Sequence, residues 1–134
     1  MKSIIPVILL SLIFVMGSAQ VDSCKNQITP NFIRNEKDYS FKINNKKDDP
    51  FKIEFSFYGG FIYRIVMCPE NNEKLSIIVK DSNGNILYNN SYFDYANVWD
   101  FRFQSNMECT IEIKSVDEAS NSINVMMYAA YKGI

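Results

Sequence analysis

The chain predicts a two-layer antiparallel β-sandwich of about seven or eight strands, with a jelly-roll and an immunoglobulin-like Greek-key order both open. Three observations carry that expectation. Aromatic and β-branched residues alternate with polar ones at period two, turn residues recur at short intervals, and no helical stripe survives past residue 19. Short strands at regular spacing between turn signals pack as sandwiches or barrels.

The first element is not part of the domain. Met1-Lys2-Ser3 precedes an apolar run from Ile4 to Met16, and Gly17-Ser18-Ala19 follows. A positive start, a short hydrophobic stretch and small residues before the cut predict a cleavable signal peptide over residues 1–19. The run is shorter than the roughly 20 apolar residues a membrane span needs, and no later segment approaches that length. Val21-Asp22-Ser23 before Cys24 do not form a lipobox. The expected destination is therefore the periplasm or the exterior, with no membrane span after cleavage. Residues 20–38 form a polar lead-in with scattered apolar positions (Ile28, Phe32, Ile33), read as an extended segment or a short helix covering one sheet.

The sandwich domain spans residues 39–134. Tyr39, Phe41 and Ile43 alternate with Ser40 and Lys42 in the first strand. Phe51, Ile53, Phe55 and Phe57 alternate with Lys52, Glu54 and Ser56, the clearest half-buried pattern in the chain. Tyr58-Gly59-Gly60 turns the chain into Phe61–Met67, an almost continuously apolar and hence central strand. Leu75, Ile77 and Val79 follow, and Asp81-Ser82-Asn83-Gly84-Asn85 makes a hairpin turn into Ile86–Asn89. Trp99, Phe101 and Phe103 define the sixth strand, Cys109, Ile111 and Ile113 the seventh, and Ile123–Tyr131 the last.

The stretch Gly60-Phe61-Ile62-Tyr63-Arg64-Ile65, with Cys68-Pro69 and Leu75–Asp81 after it, resembles uncharacterised small secreted β-sandwich proteins of Gram-negative bacteria. Trp99-Asp100-Phe101-Arg102-Phe103 and Glu108-Cys109-Thr110-Ile111-Glu112 are similar to the same group. The strand order is more distantly similar to non-catalytic sandwich domains appended to secreted peptidases. The resemblance covers roughly residues 39–131. It implies a fold, and no catalytic or binding residue comes with it.

Charge and composition narrow the function classes. The 134 residues hold 14 basic and 15 acidic side chains; losing Lys2 with the leader leaves a net charge of −2. Nucleic-acid binding calls for clustered Lys and Arg, so no nucleic-acid partner is expected. Histidine is absent. That removes the usual general base near neutral pH, the commonest metal ligand and every nucleophile paired with an imidazole. No catalytic residue, metal or cofactor is therefore expected. What remains for an enzyme is a Ser-Lys dyad or a carboxylate pair, and Glu70 with Glu73 or Asp94 with Asp100 are the carboxylate candidates for a small hydrolase. Asp81–Asn85 resembles the start of a calcium loop but carries Tyr92 where the closing glutamate would stand, so a plain turn is the better reading. Asp48, Asp49 and Asp100 are a conceivable non-consecutive cluster without supporting spacing.

The aromatic connection is the most suggestive feature. Tyr88, Tyr92, Phe93, Tyr95 and Trp99 crowd a segment that also holds Asn89, Asn90, Asp94 and Asn97. Flat rings beside amides and carboxylates suit an extracellular glycan, and Tyr92, Tyr95, Trp99 and Asp94 are the candidate ligand-binding residues. The competing reading packs the rings into the end of the sandwich. Trp99 shares parity with Phe101 and Phe103 and so points inward; Tyr92 and Tyr95 are the better candidates for exposure. The expected function is a secreted, non-enzymatic binding or interaction module for an extracellular protein or glycan.

Three cysteines in an exported chain allow one disulfide and one thiol. Cys109 shares parity with Ile111 and Ile113 and points inward, whereas Cys68 shares parity with Arg64. This favours Cys24 with Cys68, a closure worth about 4 kcal/mol in loop entropy.

Overall fold

The computed structural model describes residues 24–28, 30–34, 38–44, 49–117 and 122–134. The leader read over residues 1–19 and its cleavage site lie outside them, as does Asp48. Among the described residues the strands are β1 (Ile33–Arg34), β2 (Tyr39–Asn44), β3 (Phe51–Phe57), β4 (Phe61–Pro69) and β5 (Leu75–Asp81). They continue with β6 (Ile86–Asn89), β7 (Val98–Phe103), β8 (Met107–Ser115) and β9 (Ser122–Gly133), and a single 3-10 turn, η1 (Asn90–Phe93), joins β6 to β7. β2 to β9 fall where alternation places strands, with ends extended by two residues at most. β1 is the exception, a two-residue strand inside the lead-in.

Two antiparallel sheets form the sandwich. One runs β2–β9–β4–β7, with β1 further along the same edge of β9 as β2; the other runs β3–β8–β5–β6. The pairing is nested: β5 with β6, β4 with β7, β3 with β8 and β2 with β9. That is one long hairpin rolled so that its halves alternate between sheets. It is the jelly-roll order, and it settles the choice that the sequence leaves open.

The inward residues of both sheets make one core, including Phe57, Ile65, Met67, Ile77, Ile111 and Met127. Strand parity explains most of the second sheet, since Ile53, Phe55 and Phe57 are buried while Lys52, Glu54 and Ser56 are exposed. Phe51 at the start of β3 is exposed although it shares the inward parity, and β6 departs from parity. Parity does not explain the first sheet. Val66, Tyr128 and Ala130 are buried although they point away from the core. The lead-in covers them. Cys24 is bonded to Cys68 with Cα atoms 6.0 Å apart, and Arg64 Nη1 donates to the Gln27 carbonyl at 3.2 Å. Phe32 is buried on the same face, with the Arg64 guanidinium 4.6 Å and the Lys132 ammonium 4.7 Å from its ring centre.

The two ends of the sandwich differ. Connections 58–60, 82–85 and 104–106 are tight turns at one end. There Gly59 lies so close to the 104–105 backbone that a Cβ would stand 2.7 Å from the Gln104 carbonyl oxygen. In the 82–85 turn only Gly84 takes a positive φ, 83°, so Asn83 is not in the left-handed region that a two-residue hairpin turn requires. Connections 70–74 and 90–97 are longer and meet at the other end, where the Lys74 ammonium lies 5.5 Å from the Tyr95 ring centre.

Candidate functional site

The surface that stands out begins on β6, the outer strand of its sheet. β6 pairs with β5 through Lys80↔Ile86 and Val79↔Tyr88, so Leu87 is an extra residue in a β-bulge. Bulges on edge strands break the regular ladder that would recruit another strand. This one also leaves two successive apolar side chains in solvent, Ile86 at 59% and Leu87 at 42% exposure.

The chain then folds back on itself through contacts made by two asparagines, Asn89 and Asn90. The Asn89 side chain caps η1 by accepting from the Ser91 backbone N–H at 3.0 Å. Asn90 is fully buried: its Oδ1 accepts from Ile77 N–H at 2.8 Å, and its Nδ2 donates to the Leu75 carbonyl at 2.9 Å and the Ala96 carbonyl at 3.2 Å. Its own carbonyl accepts from Tyr95 N–H at 2.9 Å. One side chain thus ties both ends of the loop to β5. Asp94 and Tyr95 hold φ of 54° and 55°, two consecutive left-handed residues without a glycine. Such positions cost about 1–3 kcal/mol each and persist only where surrounding contacts impose them.

The rings separate into two groups. Tyr88 stacks on Trp99 (5.3 Å, 19°) on one side and on Phe93 (5.6 Å, 16°) on the other. Trp99 is 6% exposed and belongs to the core, its indole N–H buried without a partner, and burial raises the Tyr88 phenol pKa. Phe93, at the outer end of the stack, is 61% exposed, and Tyr92 beside it is 82% exposed. Tyr95 is half-buried against Lys74, and Asp94 is exposed. The structure therefore does not gather Tyr92, Tyr95, Trp99 and Asp94 on one face. Tyr92 joins Phe93, Leu87 and Ile86 in an outward apolar segment. Sequence alternation could have found it, since Ile86-Leu87 puts two apolar residues in a row in a four-residue strand. Asn90 looks like a ligand-facing amide in the sequence and is instead the buried clamp.

Of the carboxylate candidates, Asp100, Glu70 and one oxygen of Glu73 are engaged locally, while Glu73 Oε2 is buried without a partner among the described residues. Asp100 makes a two-point ion pair with Arg64, Nε to Oδ1 at 2.8 Å and Nη2 to Oδ2 at 2.9 Å. Glu70 accepts from the Asn124 amide at 2.8 Å, and Glu73 accepts from Asn71 N–H. Asp81 accepts from Asn83 and Asn85 N–H and from the Asn85 amide, and the Asn85 bonds chiefly hold its carboxyl below the ordinary value. These are the contacts of a hairpin turn. Cys109 is a buried thiol, pushed up in pKa by burial and by the charge of Asp81. Two clefts of about 490 Å³ lie elsewhere, one beside the disulfide and lined by Glu70, Asn72, Asn124, Met126 and Tyr128, the other lined by Glu54, Ser56, Glu108 and Thr110.

No protein-family model matches the chain, and no curated protein matches it. Among solved structures it is similar to PliG of Aeromonas hydrophila, a periplasmic lysozyme inhibitor of g-type lysozyme. The two share 9% identity over 78% of this chain and 91% of that one, with a TM-score of 0.48. Among the described residues no helix is long and apolar enough to cross a membrane.

Proposed function

We propose that this chain is an exported, non-enzymatic binding module that docks a protein partner through the surface of Ile86, Leu87, Tyr92 and Phe93. The carrying observation is that these four exposed apolar side chains lie within eight residues, two on the β6 edge and two on the following turn clamped by Asn90. Exposed apolar patches mark interaction sites, and a loop held in shape before docking loses little entropy when it binds. A protein suits this surface better than a glycan. Sugar recognition needs hydroxyl-binding groups beside the rings, and the Asn89 and Asn90 side chains are spent on capping and clamping the loop. The leader expected over residues 1–19 supports an encounter outside the cytoplasm.

Site-specific photo-crosslinking tests this. A photoreactive residue at Tyr92, exposed to the extracytoplasmic proteins of the native host, should give a discrete protein adduct. Phe93→Asp should abolish it, and the same probe at Lys52 should not produce it. Equal adducts from both positions would overturn the reading, as would glycan binding that Tyr92→Ala removes.

A further inference from the structure

A second group of rings lies apart from that surface, at the seam between β3 of one sheet and β4 and β9 of the other. Phe55, Tyr58, Phe61, Tyr63 and Tyr131, with Ser56, line a cavity of about 260 Å³. We propose that this aromatic box binds a methylated ammonium group, such as the quaternary head of choline.

The walls stand at right angles. Phe61 and Tyr131 meet at 87° with centres 5.6 Å apart, and Phe55 and Tyr63 meet at 86° with centres 6.1 Å apart. Tyr63 is fixed in place because its hydroxyl accepts from Tyr58 N–H at 2.9 Å. Ring faces are negative, so several faces turned toward one volume attract a cation there. None of the six lining residues carries a charge. A primary ammonium would lose its water and gain no carboxylate in exchange, whereas a methylated ammonium is weakly hydrated and fits rings alone. The volume suits one such head group and falls below the usual range of a drug-sized site. Phe61 lies opposite Gly133, where a Cβ would meet nothing within 4 Å, and this open place beside the Phe61 wall is the mouth of the proposed site.

Titration with choline and with 3,3-dimethylbutan-1-ol, its neutral isostere, tests the proposal. Choline should bind about tenfold more tightly, the scale of a partly desolvated cation–π contact. Tyr58→Ala removes a wall that is 57% exposed, and Gly133→Leu fills the mouth where a Cβ meets nothing within 4 Å. Each should weaken choline about tenfold while the melting temperature holds. Phe93→Asp should leave choline binding intact, which separates this site from the docking surface. Sedimentation with phosphatidylcholine vesicles would assign the group to a lipid head, and titration by free choline alone would assign a soluble compound. Equal affinity for the two isosteres, no binding of either, or binding indifferent to both variants would overturn the proposal.

Discussion

The two sheets are built from similar strands but solve burial differently. In β3–β8–β5–β6 one face meets the core and the other meets water, so burial alternates residue by residue along β3, β5 and β8. In β2–β9–β4–β7 the centre is covered on both faces, so Ile65, Val66 and Met67 are buried in succession in β4, and Met127 to Ala130 in β9. Strands covered on both faces read as continuous apolar runs, and half-covered strands read as alternation. The difference is made by a segment outside the sandwich, the lead-in that Cys24–Cys68 ties across the outer face. The sheet without that cover carries the exposed β6 edge. The two features divide the molecule into a covered side and an open side.

The disulfide gives the largest test of this division. It closes a loop of 44 residues' separation, and chain entropy assigns such a closure about 4 kcal/mol. Cys24→Ala with Cys68→Ala should lower unfolding free energy by that order in denaturant melts. Chemical-shift changes should concentrate at Phe32, Val66, Tyr128 and Ala130, with Ile77 and Ile111 of the other sheet hardly moved. Changes spread evenly over both sheets would break the comparison, because the lead-in would then not be a cover for one of them.

The open side has its own anchor, and removing it should cost less. Asn90→Ala leaves the Ile77 N–H and the Leu75 carbonyl without the partners they have now, each buried group costing about 1–3 kcal/mol. We expect a loss of about 3 kcal/mol, with Asp94 and Tyr95 leaving the left-handed region, visible as new backbone shifts at those two residues. Retained shifts at Asp94 and Tyr95 would mean that the loop is held by the Tyr88–Phe93 stack instead.

The same comparison shows what the sequence could reveal. Alternation located β2, β3, β5, β7 and β8, a continuous apolar run located β4, and the 81–85 turn located β6. The parity of Trp99 placed it in the core, where it is 6% exposed. The parity of Cys68 likewise set it on the outer face, where Cys24 meets it. Sheet order was not legible, since nested and Greek-key pairings use the same strands. β1 escaped because two residues carry no period. Asn90 escaped because a buried amide differs from an exposed one only by the carbonyls and N–H groups around it, which come from β5 and Ala96.

The smallest expected effect on stability falls on the residue with the largest expected effect on function. Tyr92 is 82% exposed, and no ring contact joins it to Tyr88, Phe93 or Trp99 among the described stacks. Exposed positions of this kind shift stability by less than about 0.5 kcal/mol. Tyr92→Ala should therefore melt with the parent protein and yet lose partner binding, since truncated tyrosines at interface centres commonly cost about 2 kcal/mol or more. Calorimetric melting and a binding assay on the same preparation read the two quantities independently. A variant that melts well below the parent would place Tyr92 in the packing of the loop. A variant that binds as tightly as the parent would move the docking surface off η1 and onto Ile86 and Leu87, narrowing the open side to the β6 edge alone.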